Sequence, residues 1–270
     1  MVEGAFQHPD RTFVDRCEGM TKTIAVAGKG GTGKTSLSAL LIYRLKDKGV
    51  VLAIDGDPST NLHMALGLPL GDTVGDIREG MLAATKTGRL DPSLSKPDYV
   101  ELKVREAVVE SRRLDLLAMG RPEGPGCYCA ANNMLRTSID RLAKNYDYVV
   151  IDCEEGMEHI SRQTTRDVNI LLLVSDPTMK GITTAARMKE LIGELRTKVG
   201  KIGLVVNRVN GGLSEPVRRA MEEAGLELLA TIPEDRAVRD LDASGTPLTQ
   251  LPLDSPLQLG VAEVIAKLEL

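Results

Sequence analysis

Short apolar runs recur along this chain, and helical patterns separate them. The runs cover residues 23–27, 50–54, 114–119, 148–151, 168–174, 202–206 and 228–232. Each has the length and the continuous apolar character of a strand buried on both faces. Between them, apolar residues recur at helical spacing at 35–48, 130–144, 183–195 and 214–224. The alternation predicts an α/β domain with a mostly parallel, twisted central sheet that helices cover on both faces, so ligands should lie beyond the carboxyl ends of the strands.

Domain limits follow from the same pattern. No repeat, low-complexity tract or linker interrupts residues 21–270, so we predict a single domain there. Residues 1–20 show no clear period and are predicted to be a flexible extension, and Met20 is an alternative translation start. Residues 72–99 are predicted to be helix and loop with breaks at Asp91-Pro92 and Lys96-Pro97. Residues 261–268 predict a short C-terminal helix that packs on the core.

Composition excludes several classes of function. With 270 residues, 42% of them hydrophobic, the chain can bury one large core. Its net charge of −4 and pI near 5.6 offer no basic surface, so we expect neither a nucleic-acid nor a membrane partner. The absence of a long apolar run and of a secretory signal predicts a cytoplasmic protein, in which four cysteines are thiols or metal ligands more often than disulfides.

A phosphate-binding loop lies between the first predicted strand and helix. Its sequence is Gly28-Lys29-Gly30-Gly31-Thr32-Gly33-Lys34-Thr35. The glycines let backbone N–H groups converge on phosphate oxygens, where the helix start adds partial positive charge. Lys34 is expected to reach the β- and γ-phosphates, and the Thr35 hydroxyl to hold Mg²⁺. The predicted nucleotide contacts here are Gly28, Lys29, Gly30, Gly31, Thr32, Gly33, Lys34, Thr35 and Ser36.

Two acidic residues follow predicted strands and belong to the same edge. Asp57, in Asp55-Gly56-Asp57-Pro58, is expected to position or activate the attacking water, although an aspartate at such a place can also simply form a turn. Asp152 ends the run Val149-Val150-Ile151, which is the pattern of a Walker B strand, and is expected to hold Mg²⁺ through water. Residues 153–159 would form the switch that senses the γ-phosphate, with the backbone of Gly156 near it.

Recognition of the base is predicted for the strand that ends at Asn207. A side-chain amide there can present both a donor and an acceptor to a purine edge.

The loop carries a second lysine, Lys29, directly after its first glycine. It resembles the deviant phosphate loop of the ATPase class that includes the nitrogenase iron protein, MinD and ParA. The resemblance implies a P-loop ATPase that binds ATP and forms a homodimer around it, in which Lys29 crosses the interface to the partner's nucleotide. The string at residues 55–61 is similar to switch I of this class, which gives the second aspartate, Asp57, the hydrolytic role.

Two further segments are similar to the adenine-flanking segments of this class. They are Asn207-Arg208 and Pro233-Glu234-Asp235. Since the guanine signature N-K-x-D is absent, ATP and ADP are the expected nucleotides.

Cys127 and Cys129 form a C-x-C pair. Two thiolates one residue apart supply half of a four-coordinate sulfur site, which a second copy of the chain would complete. The alternatives are a pair of loop thiols or a reversible disulfide. Together with the Ala-Ala-Asn-Asn that follows and the string at 152–159, the pair resembles the CooC-like family of nickel-insertion accessory ATPases.

That resemblance implies a metallochaperone ATPase. Cys127 and Cys129 would bind Ni²⁺ between subunits, with Zn²⁺ as a competitor, and the client would be carbon monoxide dehydrogenase or acetyl-CoA synthase. Cys153 and Glu155 depart from the residues more usual in the family. Two alternatives remain: a spatial-organising ATPase like MinD or ParA, and an iron–sulfur reductase similar to the nitrogenase iron protein, which uses two widely separated cysteines per chain.

Overall fold

A parallel sheet of seven strands forms the centre of the protein. The computed structural model describes residues 20–87, 93–121, 129–154, 167–194 and 198–270. Within these ranges the strand order is β3-β2-β4-β1-β5-β6-β7, and all neighbouring strands are parallel. The strands are β1 Lys22–Gly28, β2 Val51–Asp55, β3 Leu114–Ala118, β4 Tyr148–Asp152, β5 Asp167–Ser175, β6 Lys198–Val209 and β7 Leu228–Pro233.

Helices pack on both faces of this sheet. Alternate residues of β1 enter different cores: Ala25 and Ala27 pack on the side of α3 to α7, and Ile24 and Val26 on the side of α1, α2 and α9. This division confirms the predicted α/β architecture. The described helices are α1 Lys34–Leu45, α2 Leu62–Leu66, α3 Val74–Thr87, α4 Lys96–Ala107, α5 Cys129–Ala143, α6 Met179–Glu194, α7 Glu215–Glu223, α8 Arg236–Ser244 and α9 Pro256–Lys267, with a 3₁₀ turn at Leu248–Gln250.

Several helix boundaries differ from the sequence prediction for local reasons. The expected break at Lys96-Pro97 is the first turn of α4, where proline is tolerated and the Ser95 side chain accepts a hydrogen bond from the Asp98 N–H at 3.3 Å. Helix α6 begins four residues earlier than predicted, because the Thr178 hydroxyl accepts a bond from the Gly181 N–H at 3.0 Å. The C-terminal helix, α9, is likewise longer than predicted and buries Val261 and Val264 in the core.

The strand order brings the predicted motifs to one edge. Strand β1, which leads into the phosphate loop, lies between β4 and β5, and β4 pairs with β2. In register, Asp152 lies beside Val26 of β1 and beside Asp55 of β2. Among the described residues, no helix combines the length and apolar character needed to cross a membrane. The extension predicted at residues 1–20 lies, apart from Met20, outside the described residues.

Candidate nucleotide and metal site

Two glycines set the shape of the phosphate loop. Gly33 has φ +91°, and a Cβ there would lie 2.4 Å from Nδ2 of Asn207. A Cβ on Gly28 would lie 2.1 Å from the backbone oxygen of Val174 on the neighbouring strand. A side chain at either position would collide with its neighbour, and at Gly33 it would also strain the backbone. These two glycines therefore let the chain turn sharply from β1 into α1.

The loop is closed by hydrogen bonds to a single carbonyl. The backbone oxygen of Lys29 accepts from the Thr32 hydroxyl at 2.8 Å and from Nζ of Lys34 at 3.2 Å. Helix α1 begins at Lys34, so this lysine belongs to the turn that carries the first free N–H groups of the helix. A helix N-terminus with a lysine at this point is suited to bind phosphate. The roles predicted for the loop residues, including Gly30, Gly31 and Ser36, are compatible with this geometry and remain predictions.

Lys29 lies against an aspartate that the sequence analysis did not identify. Its Nζ atom is 3.5 Å from Oδ2 of Asp176, and the two side chains are 35% and 26% exposed. Asp176 follows β5, the strand next to β1. Only the strand order links the two residues, so the sequence carries no local signal for this pair. Since both groups retain contact with solvent, the pair is weak enough for Lys29 to exchange partners.

Two buried carboxyl groups lie side by side at the ends of β2 and β4. Asp55 and Asp152 are each 1% exposed. Burial raises the pKa of Asp152 to about 7, against hydrogen bonds from the side chains of Thr35 and Ser38 that lower it. Burial also raises the pKa of Asp55 to about 6, against backbone hydrogen bonds that lower it. Both groups favour a nearby cation, because a cation would offset the cost of burying their charge.

The raised pKa of Asp152 predicts a pH-dependent stability. Without nucleotide or Mg²⁺, the folded protein keeps the Asp152 proton up to about pH 7, whereas the unfolded chain releases it near about pH 4. Between these values the folded state binds the extra proton, so the free energy of unfolding falls as pH rises, by about 1.4 kcal/mol per pH unit for one proton. Asp152→Asn should flatten this dependence in urea unfolding between about pH 5 and about pH 7. Parallel pH profiles for the two proteins would contradict it.

Asp57 participates in a turn in this structure. Its Oδ1 atom accepts a hydrogen bond from the Ser59 N–H at 2.8 Å, and its own N–H donates to Oδ1 of Asp55 at 3.1 Å. Asp55 also accepts from the N–H of Leu62 at 2.9 Å, so it joins both ends of the segment that carries Asp57. The turn-forming role considered from the sequence is therefore real. It leaves one carboxylate oxygen of Asp57 for other contacts, and the hydrolytic role stays a prediction.

The predicted base-binding residues come together at the ends of β6 and β7. Asn207 is 8% exposed; its Nδ2 donates to the Thr32 backbone oxygen at 2.8 Å, and its Oδ1 accepts from the Arg208 N–H at 2.9 Å. The Asn207 amide thus supports the phosphate loop, which the sequence analysis missed, and a base contact would use its remaining donor and acceptor capacity. In the register of the two strands, Pro233 pairs with Val209.

The acidic residues after β7 have structural partners. Asp235 caps α8 by accepting from the Ala237 N–H at 3.0 Å. Glu234 lies 3.3 Å from the guanidinium group of Arg239. Both can still flank a base, as the resemblance implies, and that role remains a prediction.

The structure describes Cys129 and Cys153 but not Cys127. Cys129 is the first residue of α5, and Cys127 lies outside the described residues, as do Gly156 and His159. Cys153 is 1% exposed, and burial raises the pKa of its thiol far above the ordinary value, so it is protonated and inert. In the part of the chain that the structure describes, no three histidine, cysteine or acidic residues are grouped as metal ligands.

Comparisons with known proteins cover all of these motifs. Residues 23–248 match the family model described as the CobQ/CobB/MinD/ParA nucleotide binding domain. An uncharacterized ATP-binding protein of Methanocaldococcus jannaschii is 42% identical over 91% of this chain and 97% of its own length. The carbon monoxide dehydrogenase accessory protein CooC of Rhodospirillum rubrum is 33% identical over 82% of this chain and 87% of its own. Among solved structures, the septum site-determining protein MinD complexed with Mg-ADP, from Pyrococcus horikoshii OT3, has a TM-score of 0.68 at 22% identity, over 93% of this chain and 96% of its own.

Proposed function

Because the chain belongs to the CobQ/CobB/MinD/ParA family of nucleotide-binding P-loop ATPases, we propose that it is an ATP-dependent metallochaperone that delivers nickel to a client enzyme. The observation that carries the proposal is the coexistence of Lys29 in the phosphate loop with the Cys127/Cys129 pair. The 33% identity to the carbon monoxide dehydrogenase accessory protein supports the same reading. The client is accordingly carbon monoxide dehydrogenase or the related acetyl-CoA synthase.

The nucleotide half of the mechanism uses the edge formed by β1, β2 and β4. The Thr35 hydroxyl and the Asp152 carboxylate are oxygen donors of the kind that Mg²⁺ prefers, and they are hydrogen-bonded to each other. Mg²⁺, when bound there, neutralises charge on the β- and γ-phosphates. Lys34 and the start of α1 bind the phosphates, while the Asp57 carboxylate orients the attacking water and accepts its proton. Asn207 keeps the loop in shape through its bond to the Thr32 carbonyl.

The metal half of the mechanism uses the C-x-C pair. Cys129 is the first residue of α5, and the thiolate is the form in which a cysteine binds soft metals. Cys127 is two residues away, so its Cα lies within about 7 Å of the Cα of Cys129. One chain thus contributes two sulfur ligands and a symmetric pair of chains contributes four, which is the number that a tetrahedral thiolate site requires.

We propose that ATP joins the two halves. In the monomer Lys29 is paired with Asp176 of its own chain. When two chains meet face to face, Lys29 exchanges Asp176 for the γ-phosphate held by the partner, and the two cysteine pairs come together. Hydrolysis removes that phosphate, weakens the dimer and opens the sulfur site, so that Ni²⁺ passes to the client enzyme.

The proposal is tested on anaerobically purified protein. Gel filtration with light scattering is expected to show a dimer only when a nonhydrolysable ATP analogue and Mg²⁺ are present. Equilibrium dialysis with Ni²⁺, repeated with Zn²⁺, is expected to give one ion per dimer. A chain that stays monomeric with both nucleotide and metal would contradict the mechanism. A brown protein with iron and sulfide would favour the reductase, and ATP-dependent sedimentation with liposomes or DNA would favour a spatial-organising ATPase.

Lys29→Gln is expected to prevent ATP-dependent dimer formation while nucleotide binding persists, because the loop contacts to phosphate come from the backbone and Lys34. Asp176→Asn is the matched control: it removes the partner of Lys29 within the chain but not Lys29 itself, so the dimer should still form. Light scattering and titration with a fluorescent ATP analogue measure the two properties. A Lys29→Gln protein that dimerises like the wild type would show that this lysine does not reach across the interface.

A further inference from the structure

Thr60 has a left-handed backbone conformation, with φ +49°. This conformation is uncommon for residues other than glycine and is a genuine outlier for a β-branched residue. A strained residue of this kind persists only where its surroundings hold it, and such residues concentrate at functional sites. Thr60 lies three residues after Asp57, whose side chain forms a turn by accepting a hydrogen bond from the Ser59 N–H. The strain is therefore located beside the residue that the mechanism uses to orient the attacking water.

Two hydrogen bonds hold Thr60 in this turn. Its N–H donates to the backbone oxygen of Asp57 at 2.9 Å, and its own backbone oxygen lies 2.5 Å from Nδ1 of His63. Because a carbonyl oxygen can only accept, Nδ1 of His63 carries the proton and donates it. Asp55 binds the same segment at the N–H groups of Asp57 and Leu62, on either side of Thr60. The imidazole of His63 thus supplies a side-chain bond to the strained residue itself.

His63 stands on a helix that the core fixes in place. Helix α2 has five residues, of which Leu62 and Leu66 are buried in the same core as α1. The helix closes with a hydrogen bond from the Leu68 N–H to the His63 oxygen at 2.9 Å. Residues 57–60, in contrast, are half-buried or exposed. The bond from the imidazole therefore ties a solvent-facing turn to a buried element.

We propose that His63 is a positioning residue for ATP hydrolysis. By holding the Thr60 carbonyl, it keeps the turn in one conformation, so that the carboxylate oxygen of Asp57 that the turn does not use is presented in one place. A displacement of about 1 Å in a catalytic group can cost about 100-fold in rate. Binding of the phosphates, in contrast, uses the loop between β1 and α1. The inference rests on the proposed function, because it needs Asp57 to act on the attacking water.

The test sets the hydrogen bond against helix propensity. His63→Ala removes the donor but places a better helix former in α2, whereas His63→Asn keeps an N–H donor near the position of Nδ1 and is the poorer helix former. His63→Ala is expected to lower kcat by about 10- to 100-fold with little change in KM, because the lost positioning acts on the transition state. His63→Asn should recover most of this loss. Met64→Ala is the matched control, since it truncates an exposed side chain of the same helix, and it should hydrolyse ATP like the wild type.

Steady-state phosphate release and titration with a fluorescent ATP analogue are measured on the full chain, with circular dichroism as the check of folding. A low kcat in His63→Ala that His63→Asn restores supports the inference. A wild-type kcat in folded His63→Ala overturns it, as does a loss confined to ATP binding. A defect in His63→Asn as large as that in His63→Ala also overturns it, because the donor would then make no difference.

Two further results keep the test decisive. If His63→Ala does not fold, His63→Gln takes its place, because the glutamine amide extends beyond the Nδ1 position, and it is compared with His63→Asn by the same criteria. A wild-type hydrolysis rate in Asp57→Asn is a separate result. It removes the hydrolytic role of Asp57 from the proposed function, and the inference falls with it, whatever the His63 variants do.

Discussion

Asp57→Asn is expected to slow ATP hydrolysis by about 10²- to 10⁴-fold while ATP still binds. Asparagine keeps the oxygen that accepts the hydrogen bond from the Ser59 N–H, so the turn survives. It loses the negative charge that would orient the attacking water and accept its proton. Under the proposed mechanism the ATP-bound dimer should then accumulate, because the γ-phosphate that holds Lys29 across the interface is not removed.

Single-turnover phosphate release and light scattering with ATP measure the two effects of this change. Glu223→Gln provides the control: it makes the same change of charge on an exposed position of α7 and should hydrolyse ATP like the wild type. A wild-type hydrolysis rate in Asp57→Asn would show that Asp57 serves only as a turn former, and the attacking water would have to be held elsewhere.

Replacement of both Cys127 and Cys129 by serine should reduce Ni²⁺ affinity by more than about 100-fold, beyond the range seen when only outer-shell groups are lost. A serine hydroxyl does not ionise near neutral pH and is a hard ligand, whereas soft divalent metals select thiolates. This variant should still hydrolyse ATP, since the phosphate loop and the acidic residues at the ends of β2 and β4 are unchanged.

Equilibrium dialysis with Ni²⁺ measures this loss, and Cys153→Ala is its control. The Cys153 thiol is buried and protonated, so removing it should leave metal binding intact. Tight Ni²⁺ binding that survives the double replacement would place the metal elsewhere and defeat the metallochaperone proposal.

Local sequence was a good guide to the main elements and a poor guide to short ones. The seven strands were predicted from continuous apolar runs, and each was found within a few residues of its predicted position. Strand β6, Lys198–Val209, is longer than its apolar run, because its first residues are partly exposed and include polar side chains. Helices α2 and α8 were missed, and so was most of α4, Lys96–Ala107, which begins at a predicted break and continues into residues for which no helix was predicted. α2 has only five residues and α8 buries none fully, so neither leaves a clear periodic pattern.

The candidate site was likewise predicted only where it depends on residues that are neighbours along the chain. The phosphate loop was recognisable because its chemistry depends on contiguous residues. Its glycines allow the backbone to turn around a phosphate, and its lysine follows directly at the start of the helix. The hydrogen bond from Asn207 to Thr32 joins residues 175 positions apart, and no local pattern predicts it. The ion pair between Lys29 and Asp176 and the contact between Arg78 and the Arg121 carbonyl are equally non-local.

By itself, then, the sequence determined the α/β layers, the phosphate loop and membership of a class of ATPases, because periodicity and contiguous motifs express short-range physics. Only the tertiary structure decided which side chains meet. The strand order brings Asp55 beside Asp152 and β5 beside β1, and the packing of α3 against the end of β3 buries Arg78 against the backbone of Arg121. The physical reason is that burial and strand register, rather than neighbours along the chain, set the partners and the pKa values of these groups.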